Sequence, residues 1–206
     1  NNLLYIINDI LDFTKIEEGK LELENCEFNI QSIIDHLTSA TDFLAQKKNI
    51  KTSLTIDQNI PVTLHGDPFR IGQILINLVS NAIKFSPENT TILISLTLIT
   101  LEASRVKIQA TVTDSGIGMT RDQIKSLFQS FVQVDYSSNR EFQGTGLGLA
   151  ICKKLTKLMN GEIWVESTPN QGSTFGFNLW LIPGQLLERR TAPNRKSKDY
   201  LNSETI

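Results

Sequence analysis

Asn77-Leu-Val-Ser-Asn81-Ala-Ile-Lys84 is the stretch from which the rest of the chain can be read, because two sides of one helix are specified in it and around it. Ile71, Ile74, Leu75, Leu78, Val79 and Ile83 recur at helical spacing and make an apolar inner side. Asn77, Asn81 and Lys84, four and three residues apart, stack near one another on another side. Asp67 is placed to cap this helix and Pro68 to occupy its first position, after a turn-rich connection over 61–68. Three further short segments follow in order: Asp114-Ser-Gly116-Ile-Gly118, Phe128-Gln-Ser-Phe131 and Gly144-Thr-Gly146-Leu-Gly148-Leu.

Working toward the N-terminus, 51–56 alternates as a strand, and Ile30, Ile33, Ile34, Leu37, Ala40, Phe43 and Leu44 predict an amphipathic helix over 30–46. Short strands are expected at 20–23 and 27–30. A helix over 3–16 ends at Gly19, and its wide apolar surface calls for a partner: a neighbouring helix, a second copy of the chain, or the domain itself. Toward the C-terminus, strands at 91–100 and 106–113 join through a polar turn at 102–104, and a short helix follows Thr120. A polar loop over 132–144 leads to a helix over 146–159 that stops at Asn160-Gly161, and strands at 162–166 and 173–181 complete the pattern. The expected class is α/β: a two-layer sandwich with about three helices over one face of a mixed or antiparallel sheet, not a doubly wound arrangement. Residues 1–19 read as the end of a helical domain, 20–182 as the main domain, and 183–206, basic and poor in apolar residues, as a flexible linker.

The 206 residues are 40% hydrophobic, enough for a sizeable core. With 20 basic and 22 acidic residues the formal net charge is −2, so nothing global points to nucleic acid or a membrane surface. The longest apolar stretch, 92–101, is interrupted by Ser95, Thr97 and Thr100 and is too short to span a bilayer. Cys26 and Cys152 lack a paired spacing and read as reduced thiols of an intracellular domain. Beginning at Asn1 without a methionine, the chain is expected to be an excised piece of a longer protein.

The quoted segments carry complementary chemistry. Mg²⁺ prefers hard oxygen ligands and keeps several waters, so one amide oxygen, from Asn81, would suit it beside phosphate oxygens; Asn77 can orient a bound water or phosphate, and Lys84 offers a point charge. Taken alone, these residues equally suit the wet face of a helix. Asp114, at a strand end before Ser-Gly116-Ile-Gly118, can accept a hydrogen bond from the exocyclic amine of adenine, whereas guanine presents a carbonyl there; an Asp-Ser-Gly turn is also a common loop. Gly144, Thr145, Gly146, Leu147 and Gly148 form a glycine-rich loop, a weak signal by itself. No Gly-Lys-Ser/Thr ending follows, and the loop does not directly follow a strand, so neither the Walker nor the Rossmann pattern fits. It precedes a helix whose first amides attract anions. Phe128 and Phe131 share one face of a turn and would suit a core.

In order and spacing the four segments resemble the ATP-binding domain of sensor histidine kinases, of the Bergerat fold shared with gyrase-type and mismatch-repair ATPases. The resemblance implies ATP and Mg²⁺ as ligands, Phe128 and Phe131 at the hinge of a lid over ATP, Arg140 in that lid within reach of the terminal phosphate or solvated, and Thr174 supporting Asp114 through water. Gln143 and Gln129-Ser130 depart from the family's usual Gly and Glu-Pro, which touches lid conformation and turnover. Ile6-Ile-Asn-Asp-Ile-Leu-Asp-Phe-Thr-Lys-Ile-Glu-Glu-Gly-Lys20 resembles the end of the second dimerisation helix of these kinases, implying a homodimer in the full-length protein. Water-splitting members place a glutamate base where this chain has Asn77, so slow hydrolysis is expected. The nucleophile would be a histidine on the preceding dimerisation helix; His36, on a helix, and His65, in the turn before Gly66-Asp67-Pro68, read as ordinary surface residues. Gly66-Asp67-Pro68 and Phe131-Val-Gln-Val-Asp135 look most like hybrid kinases, which relay phosphate to a receiver aspartate. A cytoplasmic domain, whose parent can be membrane-anchored, is implied. The rival expectations are a kinase-inactive nucleotide-binding module and an ATPase of the same fold.

Overall fold

A computed structural model describes residues 2–132 and 146–184. Along the chain these form α1 (Asn2–Glu17), β1 (Cys26–Asn29), α2 (Ile30–Lys47), β2 (Lys51–Ile56), β3 (Thr63–Gly66), α3 (Pro68–Phe85), β4 (Thr91–Leu101), β5 (Val106–Asp114), α4 (Arg121–Ser126), α5 (Gly148–Leu158), β6 (Glu162–Thr168) and β7 (Gly172–Pro183). The expected two-layer α/β architecture is what the chain adopts. Seven strands make one sheet in the order β1-β3-β7-β5-β4-β2, with β6 added to the first part of β7. Every pairing is antiparallel except β2 with β4, so the sheet is mixed. Helices α2, α3 and α5 cover one face, and the core between the layers contains Ile74, Leu75, Leu78, Val79, Ile92, Val106, Val112 and Leu155, each 0% exposed.

Local chemistry sets the helix starts. The Asn29 side chain accepts the Gln31 N–H at 2.8 Å to open α2. The Asp67 carboxylate accepts the Arg70 N–H at 2.9 Å with Pro68 in the first turn of α3, as the sequence predicts. Thr120 and Gln123 form a reciprocal capping box at α4.

Several expectations need correction. Residues 20–23 form no strand: Leu21 and Leu23 do alternate toward the core, but β3 ends at Gly66 opposite Cys26 and Asp67 opens α3, so no strand lies opposite the residues before Cys26, and the Glu24 N–H instead binds Asp67 Oδ2 at 3.0 Å. The turn-rich 61–68 connection contains β3, which bridges β1 and the end of β7. His65 lies in that strand, half-buried, with Nε2 3.3 Å from Glu27 Oε2, rather than at the surface; His36 is exposed. In α2 the inner stripe runs from Leu37 through Thr41 to Ala45, four residues apart, leaving Ala40, Phe43 and Leu44 off it and exposed. The last long helix starts at Gly148 and ends at Leu158, within the expected 146–159.

Of the partners open to α1, the domain itself is used on one side. Asp12 Oδ2 meets Arg70 Nη1 at 2.7 Å and Gln73 Nε2 at 2.8 Å, Glu17 pairs with Lys154, and Lys154 Nζ stands 4.4 Å from the Phe13 ring centroid. Ile7, Ile10 and Leu11 on the same helix remain exposed. Among the described residues no helix is long and apolar enough to cross a membrane, and both cysteines are free thiols, Cys26 exposed and Cys152 buried.

Candidate functional site

Val106, Ile108, Ala110 and Val112 point from β5 into the core, and Asp114 takes the next place in that alternating series. A carboxylate therefore stands where the pattern calls for a fifth apolar side chain, 6% exposed. Its Oδ1 accepts the Gly116 N–H at 2.7 Å. Burial pushes its pKa up, more strongly than the backbone N–H groups of Gly116 and Ser173 hold it down. An acidic group kept in a core-facing position, with the turn after it folded back on its own carboxylate, is a poor stabiliser and a good acceptor for one complementary donor.

The glycines around it are required by close approach. A Cβ on Gly116 would lie 2.7 Å from Asp114 Oδ1 and 2.7 Å from the Phe85 carbonyl oxygen, so the turn after β5 is pressed against the end of α3. Gly118, with φ of 63°, lies against the Thr168 carbonyl at the end of β6.

On α3, Asn81 Nδ2 donates to Asn77 Oδ1 at 3.0 Å. With its nitrogen so used, Asn81 offers its amide oxygen to a cation. Lys84, one turn further, is half-buried, which lowers its pKa, and its Nζ sits 5.0 Å from the Phe85 ring centroid. A side chain at Gly148 would overlap the Asn77 amide, so the first residue of α5 and the asparagine of α3 touch. The N-cap of α5, Leu147, is 1% exposed within the core and supplies no side-chain cap, leaving the first amides of the helix to other acceptors. Gly146 precedes it with φ of 70°, and its carbonyl accepts the Phe131 N–H at 3.1 Å. Phe131 has φ of 63°, is 69% exposed, and meets Phe13 of α1 edge-to-face with centroids 5.9 Å apart. Phe131 thus touches α1.

Asn77, Asn81, Lys84, Asp114, Gly116, Gly118, Phe131, Gly146, Leu147 and Gly148 are in this way gathered at one end of the sheet, where α3 and α5 begin or end against β5. Arg140, Gln143, Gly144 and Thr145 lie outside the described residues. Thr174 is not where the sequence reading puts it. It pairs with Thr113 across the β5–β7 ladder, hydroxyl to hydroxyl at 3.0 Å, on the face opposite Asp114. Ladder partners share a face and neighbours alternate. The β7 residue beside Asp114 is Ser173, 8% exposed, and sequence alone could have found it only through the register. Among the described residues no group of three or more His, Cys, Asp or Glu could hold a metal.

Residues 66–183 match the family model described as histidine kinase-, DNA gyrase B-, and HSP90-like ATPase. The signal transduction histidine-protein kinase BarA of Escherichia coli is 44% identical over 190 residues, 91% of this chain and 21% of BarA. The hybrid signal transduction histidine kinase B of Dictyostelium discoideum is 41% identical over 179 residues, 87% of this chain and 9% of that protein. The chain thus spans about a fifth or less of the length of these curated relatives. Among solved structures, full-length ShkA in complex with AMPPNP superposes with a TM-score of 0.74 at 28% identity, covering 88% of this chain and 36% of that one.

Proposed function

Because the chain belongs to the histidine kinase-, DNA gyrase B-, and HSP90-like ATPase family, with histidine kinases as its relatives, we propose that its site binds ATP with Mg²⁺ and donates the γ-phosphoryl group to a histidine on a dimerisation domain. The observation that carries this reading is Asp114, a carboxylate in a core-facing position with its Oδ1 held by Gly116.

Asp114, ionised, accepts the adenine amine, and the close contacts at Gly116 keep its acceptor fixed. Guanine would bring a carbonyl oxygen against it, an unmet buried pairing worth about 1–3 kcal/mol. Lys84 and the first amides of α5 face the phosphates, and Asn81 would hold the Mg²⁺ that neutralises charge developing on them. Asn77 positions Asn81 by accepting the hydrogen bond from its side-chain amide nitrogen. Being neutral, it takes no proton from water, so hydrolysis is slow and the phosphoryl group waits for another nucleophile. In the transfer an imidazole nitrogen of the acceptor histidine bonds to the γ-phosphorus, the bridging P–O bond breaks, and ADP leaves with the electron pair. His36 and His65 are not that acceptor: one is exposed on α2, the other sits in β3 beside Glu27.

In the full-length protein the acceptor belongs to the dimerisation domain that α1 ends, a homodimer is formed, and the phosphate passes to an aspartate of a receiver domain or response regulator; 183–206 would be the linker toward it. Isothermal calorimetry of ATP and GTP, with and without Mg²⁺, tests the site: adenine-selective, Mg²⁺-assisted binding is expected. Labelled phosphate should then pass to a separately supplied dimerisation domain. Binding without transfer would favour a kinase-inactive regulatory module, and phosphate release without an acceptor would favour an ATPase.

A further inference from the structure

The C-terminal turn of α3 is held from outside by the end of α2. Lys48, the C-cap of α2, places Nζ 2.9 Å from the Ile83 carbonyl oxygen, 2.7 Å from that of Lys84 and 3.1 Å from that of Ser86. An ammonium has three protons, and here it has three backbone acceptors for them. The last carbonyls of a helix lack partners within it, and a cation there also meets the negative end of the helix dipole. The same joint is closed by backbone and amide bonds: Asn89 N–H to the Lys48 carbonyl at 3.1 Å, Lys51 N–H to the Thr90 carbonyl at 2.9 Å, and Asn49 Nδ2 to Asn89 Oδ1 at 2.5 Å.

Phe85 lies between the carbonyls that Lys48 holds, and its own carbonyl faces Gly116 closely enough to exclude a Cβ. The Gly116 N–H in turn holds Asp114 Oδ1 at 2.7 Å. A sequence of contacts therefore runs from Lys48 through the last turn of α3 and Gly116 to the carboxylate, and Lys84, proposed to face the phosphates, is part of it.

We propose that Lys48 is a positioning residue of the nucleotide site, fixing the end of α3 and, through the contact of the Phe85 carbonyl with Gly116, the place of the Asp114 acceptor. It rests on the adenine-site reading above. Lys48 acts only through these groups, and its removal lets the α3 terminus shift, moving the Gly116 N–H that, with Ser173, holds the Asp114 acceptor.

The test uses the whole chain and calorimetry with MgATP and MgGTP. Lys48→Met keeps the apolar stem and removes every donor; Lys48→Arg keeps charge and donors; Val106→Ala, at the opposite end of β5, loosens the core about 26 Å away. Lys48→Met is expected to weaken ATP binding about tenfold and to narrow the ATP-over-GTP preference. Lys48→Arg should recover most of both, and Val106→Ala should lower Tm while leaving both affinities in place. Wild-type affinity and selectivity in Lys48→Met overturn the proposal. So does affinity that falls with Tm alike in Lys48→Met and Val106→Ala, since that is loss of fold and not of position. Should Lys48→Met fail to fold, Lys48→Gln, which keeps one amide donor group, takes its place with the same two outcomes. A wild-type chain that binds neither nucleotide removes the adenine reading and this proposal with it. Loss of ATP in Asp114→Asn with unchanged binding in Lys48→Met removes only the positioning role.

Discussion

Asp114→Asn separates recognition from folding. The replacement is nearly isosteric, and its Oδ1 can still accept the Gly116 N–H that the carboxylate accepts at 2.7 Å. The other arm changes from acceptor to amino group, so a donor meets the adenine amine. Losing a bond to a charged group costs about 1.5–3 kcal/mol, which at 1.4 kcal/mol per tenfold is a loss of about tenfold to a hundredfold in ATP affinity. Stability moves the other way. Burial raises the Asp114 pKa, so the folded chain holds its proton to higher pH than the unfolded chain does; wild-type stability therefore falls as pH rises from the ordinary carboxylate value through the raised one, and stays lowered at neutral pH. The asparagine variant has no such loss. Its Tm at neutral pH should match or exceed that of wild type, at about 2–4 °C per kcal/mol for a chain of this size. ATP affinity of the wild type should rise over the same pH window in which its stability falls, as the acceptor ionises, and that dependence should vanish in the variant. Calorimetry and thermal melts at several pH values read both quantities. Unchanged ATP affinity would refute the adenine assignment, and a Tm several degrees lower would mean that the carboxylate is there for the fold.

Asn81→Ala should abolish the Mg²⁺ dependence of ATP binding, since it removes the amide oxygen proposed to hold the ion; calorimetry with and without the ion checks this, and retained dependence moves the metal elsewhere. Gly148→Ala forces a methyl into the Asn77 amide and should lower stability by about 1–3 kcal/mol while weakening ATP; a melt and a titration that both match wild type would mean α5 has room to move. Asp12→Asn weakens the contacts to Arg70 and Gln73, both part-buried, and should speed hydrogen exchange in α1 while leaving the sheet protected; equal exchange would show that Phe13 and Glu17 hold the helix alone.

The inner face of α3 was legible because Ile71, Ile74, Leu75, Leu78, Val79 and Ile83 carry one period without interruption, and all six are buried. The strands β4 and β5 and the helix stop at Asn160 were legible for the same local reasons. What local pattern does not contain is a partner's position. Residues 20–23 have the alternation of a strand but face the point where β3 gives way to α3, while 63–66 sit among turn residues and pair on both sides. Thr174 and Ser173 are adjacent, and only the β5–β7 register decides which of them stands beside Asp114. In α2 the buried stripe runs through Thr41 and Ala45, a threonine and an alanine that hydrophobic periodicity passes over in favour of Phe43 and Leu44.

The spacing of the nucleotide motifs is itself a record of contacts between them. Gly116 is small because the Phe85 carbonyl, one residue past Lys84, presses on it, and Gly148 is small because the Asn77 amide does. Two of the glycines are thus required before any ligand arrives, by the helix that carries the asparagines. Gly146 and Phe131 share a hydrogen bond through two residues with positive φ, which joins the loop before α5 to the segment after α4. A glycine-rich run met alone is a weak sign because glycine has many local uses. Here its glycines are explained by named atoms of the other motifs, and a chain carrying one of these segments without the others would have no reason to keep it.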